Sequence, residues 1–150
     1  MNKYITCYDV ETTGLNPKED FIIQLAMVKF EKDTFEQVKS ANYYIKPAHK
    51  YNIDPKAQEV HGITKEFLEE NGVFLKDIIE DIKDFFKDSD LLTYNGNNFD
   101  IKFFFRSCKI RIIIAYYRHL LICVTRCYHV QIFIIAFALH FVFKLVHLRE

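Results

Sequence analysis

The chain has 150 residues and no formal net charge; half of its residues are hydrophobic and 27% are charged. Its length suits a single domain with one core and is too short for two ordinary domains. Its composition is that of a globular protein, and the neutral total argues neither for nor against a nucleic-acid partner.

Apolar runs separated by turn residues predict an α/β order of elements. The predicted strands are residues 4–10, 21–30, 42–45 and 91–94. The predicted helices are residues 55–60, a short helix between an N-cap at Thr64 and a stop at Gly72, the amphipathic stretch 74–86, and a last helix capped by Asn98. Residues 14–17 (GLNP) predict a turn after the first strand.

Residues 1–100 and 101–150 differ sharply in charge and in turn chemistry. The first hundred hold 19 Asp and Glu against 12 Lys and Arg, whereas the last fifty hold 1 against 8. After Asp100 the chain has no Asp, Asn, Gly or Pro, which are the residue types that make most turns. We therefore predict a domain at residues 1–107 and an atypical apolar, basic tail at residues 108–150.

Three interpretations of this tail stay open. Its abrupt change of composition favours a frameshifted or otherwise disrupted segment. The apolar stretch 130–146 is typical of a membrane element, although His140 and Lys144 interrupt it. In the third interpretation the tail forms genuine helices on the sheet of a divergent relative, where its cations could contact phosphates.

The cysteines and the start of the chain indicate no special compartment. Cys7, Cys108, Cys123 and Cys127 lack the spacing of a zinc site, so we expect buried or free thiols. Met1 leads almost directly into a predicted strand, without the pattern of a signal peptide. We therefore expect a cytoplasmic protein and no membrane partner.

Residues 9–14 (DVETTG) carry the clearest chemical pattern in the chain. Alternate residues of a strand point to the same face, so Asp9 and Glu11 would lie side by side at the end of a strand. Two adjacent carboxylates repel each other unless a cation lies between them, and hard oxygen ligands suit Mg²⁺ or Mn²⁺. Alone, such a pair is more typical of an exposed, charged strand end.

Two further segments are weak on their own. In residues 94–100 (YNGNNFD), Asp100 falls in the first turn of a predicted helix, where an acid also simply favours the helix dipole. In residues 60–64 (VHGIT), His61 precedes a glycine, as many ordinary loop histidines do. They become informative only through their order and spacing relative to residues 9–14.

Together the three segments resemble the DEDD superfamily of 3′→5′ exonucleases, in particular the proofreading epsilon subunits of bacterial DNA polymerase III and their stand-alone relatives. The resemblance covers residues 3–107 and implies a ribonuclease H-like fold, a mixed sheet with flanking helices. It implies that Asp9, Glu11 and Asp100 are catalytic residues and metal ligands. The residues that it places at or beside the substrate are Thr12, Thr13, Gly14, His61, Asn95 and Phe99.

The resemblance implies hydrolysis of phosphodiester bonds at the 3′ end of single-stranded DNA or RNA, with two Mg²⁺ or Mn²⁺ ions as cofactors. A polymerase partner cannot be identified from the sequence. The family also uses a fourth carboxylate, an Asp on a late helix, but the only acid after Asp100 is Glu150. An active exonuclease, an inactive nucleic-acid-binding remnant and a membrane-associated degenerate nuclease therefore remain as alternatives.

Overall fold

A computed structural model describes residues 2–93 and 102–104, and the backbone of residues 121–123. Five strands of these residues form one mixed sheet in the order β3-β2-β1-β4-β5. They are β1 Tyr4–Thr12, β2 Ile22–Glu31, β3 Gln37–Tyr44, β4 Ser89–Thr93 and β5 Leu121–Cys123. Because β1 pairs antiparallel with β2 and parallel with β4, the strand that carries residues 9 and 11 is central.

Three α-helices connect β3 to β4, and hydrogen bonds and backbone conformation mark the ends of two of them. The helices are α1 Pro55–His61, α2 Lys65–Asn71 and α3 Ile79–Phe86, and residues 102–104 are also helical. The Thr64 hydroxyl caps α2 by accepting the Phe67 N–H at 3.1 Å, as predicted. Gly62 ends α1 in the left-handed conformation at φ 66°, where a residue without a Cβ is favoured.

Each face of the sheet packs a hydrophobic cluster. Successive strand residues point to opposite faces, and Tyr43 and Tyr44 pack against different clusters. The α3 face buries Tyr8, Val10, Leu25, Met27, Ile82, Phe85, Phe86 and Phe103, among others. The opposite face packs α2 and the preceding loop through Ile23, Tyr51, Ile63 and Leu68. The predicted α/β class with a mixed sheet and flanking helices is thus confirmed.

Three elements of the structure differ most from the predictions. β3 starts at Gln37 rather than residue 42, because its first half is an exposed, polar edge strand without an apolar pattern. The predicted helix at 74–86 begins as a 3₁₀ turn, Leu75–Ile78, before α3. β5 was not predicted, because the surrounding sequence has no turn residues to mark where a strand begins or ends.

Candidate active site

Asp9 and Glu11 lie on one face of β1, near its C-terminal end, as their spacing predicts. Both residues are half-buried, whereas Tyr8 and Val10, which alternate with them along the strand, are buried toward α3. The strand runs to Thr12, two residues beyond the predicted end, so Glu11 has extended backbone and shares its face with Asp9. Two carboxylates therefore reach the same side of the sheet from its central strand.

The neighbouring strand presents a buried amide to the same face. Glu11 lies directly opposite Gln24, and Asp9 lies opposite Ala26. Gln24 is 1% exposed, and its Nε2 donates to Asn42 Oδ1 on β3 at 2.9 Å. Gln24 was not among the predicted site residues, although an isolated Gln within the apolar run FIIQLAMV is a signal that could have identified it.

The same face of β1 also carries Cys7, two residues before Asp9. Burial raises the pKa of the Cys7 thiol to about 12, so the group is neutral at physiological pH. Cys7 therefore adds no negative charge beside the carboxylates. It is a buried free thiol, as the sequence analysis predicts.

The turn after β1 is fixed by the Asp20 carboxylate. Thr13 Oγ1 donates to Asp20 Oδ1 at 2.9 Å, and the Asn16 N–H donates to Asp20 Oδ2 at 2.8 Å. Thr12 Oγ1 donates to the Gly14 carbonyl at 2.7 Å. These bonds satisfy the polar groups of a segment in which the residues Thr12, Thr13 and Gly14 are all buried.

Asp20 lies so close to Gly14 that a side chain at position 14 would have to displace it. A Cβ at position 14 would lie 2.5 Å from Asp20 Oδ2, well inside the contact distance. A pocket of about 350 Å³ opens beside Thr13, between Phe21 and the segment that contains Lys50 and Tyr51. The turn therefore presents a compact backbone, without projecting side chains at 12–14, next to an accessible space.

His61 lies at the end of α1, in a connection that packs on the same face as Gln24. Its Nδ1 accepts the Ile63 N–H at 3.0 Å, so in the neutral ring the proton is on Nε2, which is buried. Ile63 packs with Ile23, the residue before Gln24. At its other end α1 is attached to the turn after β1, because the Asp54 N–H donates to the Thr13 carbonyl at 2.7 Å.

The remaining predicted site residues, Asn95, Phe99 and Asp100, lie outside the described residues. No group of three or more metal-binding side chains occurs in the part of the chain that the structure describes. Asp9 and Glu11, the two predicted ligands that the structure does describe, offer hard oxygen donors, which fit Mg²⁺ or Mn²⁺ rather than a soft metal. They fit such an ion as part of a ligand set, and a third ligand has to come from elsewhere.

The exonuclease family model matches residues 6–137, which include this whole arrangement. The chain belongs to the exonuclease family. The family membership predicted from residues 9–14, 60–64 and 94–100 is therefore confirmed. The match extends past the boundary predicted near residue 107.

Two bacterial DNA polymerase III proteins are similar to the chain over part of their length. It is 36% identical over 95 residues to a PolC-type DNA polymerase III of Thermotoga maritima, and these cover 63% of the chain and 6% of that protein. It is 33% identical over 96 residues to a DNA polymerase III subunit epsilon of Rickettsia felis, over 63% of the chain and 40% of that subunit. The chain thus spans well under half of either relative.

Solved exonuclease structures share the fold. E. coli exonuclease I, in complex with a dT13 oligonucleotide, superposes with a TM-score of 0.62 at 26% identity, over 70% of this chain and 24% of that one. An exonuclease I of Methylocaldum szegediense gives a TM-score of 0.61 at 25% identity, over 67% and 22%. None of the described helices is long and apolar enough to cross a membrane, and residues 130–146 lie outside them.

Proposed function

We propose that the chain is a 3′→5′ exonuclease that hydrolyses the terminal phosphodiester bond of single-stranded DNA or RNA with Mg²⁺ or Mn²⁺. The observation that carries the proposal is the pair Asp9 and Glu11, half-buried on one face at the end of the central strand of an exonuclease-family domain. Asp100 is proposed as their third partner. Similar proteins are named as polymerase III subunits and exonucleases, one of them bound to an oligonucleotide.

Each residue has a specific task in this proposal. Asp9, Glu11 and Asp100 would hold two divalent ions, which when bound supply Lewis-acid stabilisation of the phosphate and lower the pKa of a water. The backbone of Thr12, Thr13 and Gly14 would approach the terminal nucleotide. His61 would line the pocket for the terminal nucleotide. Asn95 and Phe99 would orient and support Asp100.

The test is nucleotide release from a 3′-labelled single-stranded oligonucleotide in Mg²⁺ and in Mn²⁺. We expect stepwise release by the wild type and a loss of about 10³-fold or more in Asp9→Ala, because a metal ligand contributes several kcal/mol to the transition state. Asp33→Ala is the matched control, since it removes an exposed acid from the turn between β2 and β3. Equal release by Asp9→Ala and Asp33→Ala would contradict the site.

A second candidate function is binding without catalysis. The observation that favours it is the lack of any Asp after Asp100, where the family uses its fourth carboxylate. In that case folded wild-type protein would retain a single-stranded oligonucleotide in Mg²⁺ without shortening it. Binding would then fall as salt rises, because contacts to phosphates release counterions.

We also propose that residues 1–107 are the front portion of the exonuclease domain and that residues 108–150 derive from a shifted reading frame. The support is the loss of Asp, Asn, Gly and Pro after Asp100. The direct test is to read the other two frames of the gene beyond codon 107. A frame that encodes His followed five residues later by Asp would support the shift, and its absence from both frames would count against it.

A further inference from the structure

We infer that Gln24 is a positioning residue for the proposed metal site and that it holds the Glu11 carboxylate from the neighbouring strand. The inference rests on the proposed function, because it takes Glu11 as a metal ligand. Gln24 itself would contact neither metal nor substrate. It would act through Glu11, from a position that is sealed from solvent.

The strand register places the two side chains together. Glu11 and Gln24 are direct partners in the antiparallel pairing of β1 and β2. Side chains of directly opposed residues share a face, with Cβ atoms about 4.5–5.5 Å apart. They are also the last pair before a β-bulge, after which Thr12 pairs with Ile22 and Ile23 is the extra residue. The bulge therefore fixes which residue of β2 stands beside Glu11.

The amide of Gln24 is oriented before any ligand binds. A primary amide that is 1% exposed is costly to bury unless it is hydrogen-bonded, and its Nε2 donates to Asn42 Oδ1 at 2.9 Å. Nε2 carries two N–H groups, so this bond uses one of them. The second N–H can donate to an acceptor on the same face, such as an ionised carboxylate, which can only accept hydrogen bonds.

An uncharged side chain with a hydrogen-bond donor suits position 24. Carboxylates that bind metals are held in orientation by hydrogen-bond donors behind them, and the loss of such a donor weakens metal binding. An acid at position 24 would add a third negative charge beside Asp9 and Glu11. An apolar residue of similar size would fill the space but supply no donor. A glutamine meets both requirements.

The alternative role for Gln24 is purely structural: it would only fix the pairing of β2 with β3 through Asn42. Measurements of metal binding distinguish this role from the positioning of Glu11. We would measure Mn²⁺ binding to the full chain by titration calorimetry, below the unfolding midpoint of every variant. Gln24→Leu should weaken Mn²⁺ binding about 10-fold, in the range found for residues that orient metal ligands. Gln37→Leu, the same exchange at an exposed site on β3, should leave it unchanged.

Unchanged Mn²⁺ affinity in a folded Gln24→Leu variant, with only a lower unfolding midpoint, would overturn the inference. If that variant does not fold, Asn42→Ala replaces it, since it frees the amide without touching Gln24. A several-fold weaker Mn²⁺ affinity would then support the inference, and the wild-type affinity would overturn it. Asp9→Ala, measured in parallel, separates the failures: if it binds Mn²⁺ like the wild type, the proposed function itself is wrong.

Discussion

Each face of the sheet buries one polar side chain of β2, but the two side chains have different partners. On the α3 face, Lys29 is 5% exposed, and its Nζ donates to the carbonyls of Asp84 and Lys87 at 2.9 and 2.8 Å. Burial lowers the pKa of Lys29, and these bonds satisfy carbonyls at the end of α3. On the opposite face, Gln24 lies beside the acids of β1 and bonds to another strand.

Within one strand, the residues on the α3 face therefore serve stability, whereas those on the opposite face include the proposed metal ligands. On the α3 face, two buried polar side chains bond to the backbone of α3: Thr6 Oγ1, like Lys29 Nζ, donates to a carbonyl of that helix, that of Phe85 at 2.7 Å. The face of Asp9 and Glu11 instead gathers carboxylates and amides toward one strand end. Because strand residues alternate, a substitution on one face can damage folding while its neighbour on the other damages function.

The largest expected effect on stability is that of Ile82→Ala, on the α3 face. Ile82 is fully buried, so we expect the free energy of unfolding to fall by about 2–5 kcal/mol. Urea unfolding gives this value, and calorimetry on the remaining folded protein should find wild-type Mn²⁺ affinity. A loss of Mn²⁺ affinity as large as that of Asp9→Ala would break the separation of the two faces.

A smaller effect is expected for Gly14→Ala, in the turn that follows β1. The added methyl group would displace the Asp20 carboxylate, at a cost of about 1–3 kcal/mol in the free energy of unfolding. In the double variant Gly14→Ala, Asp20→Ala the two losses should be less than additive, because the clash is gone. Thermal unfolding measures both, and full additivity would show that Asp20 is not what excludes a side chain at 14.

The smallest effect concerns Tyr43, on the α3 face of β3, whose hydroxyl donates to Asp81 Oδ2. Burial, and then the hydrogen bond to Asp81, raise the pKa of Tyr43 from 10.0 to about 12. A raised pKa contributes stability that is complete below pH 10 and is lost as the pH rises to about 12. Because the phenol is partly exposed, we expect about 1 kcal/mol.

The comparison with Tyr43→Phe isolates this contribution from other groups that titrate at high pH. Urea unfolding of both proteins, from neutral pH to about pH 12, should show a difference in the free energy of unfolding that shrinks above pH 10. A difference that stays constant up to pH 12 would mean that the phenol does not titrate with the predicted shift.

Local patterns predicted most of the sheet, but not the strand segments that depend on pairing with a neighbour. β1 and β2 are apolar runs, and the cap of α2 is a local hydrogen bond, so the sequence alone indicates them. The first half of β3 is exposed and polar, and it is a strand because β2 offers a partner. β5 likewise depends on pairing with β4, and neither kind of information is local.

The candidate site, like the sheet, could be predicted only in part from local sequence patterns. The shared face of Asp9 and Glu11 follows from their spacing, since the period of a strand is two. The position of Gln24 beside Glu11 depends on the register and on a bulge between strands, which no spacing within one strand encodes. The roles of Asp9, Glu11, His61 and Asp100 stay predictions until metal binding and cleavage are measured.

The bulge at Ile22 and Ile23 also limits how this chain can change length. Ile22 packs in the α3-face cluster, whereas its neighbour Ile23 packs in the cluster on the other face. A one-residue deletion here would restore regular pairing, but it would leave one of the two layers without its isoleucine. An insertion at the exposed residues Lys18 and Glu19 would only lengthen a surface turn. Length variation among relatives should therefore accumulate on the turn side of Ile22 and stop there.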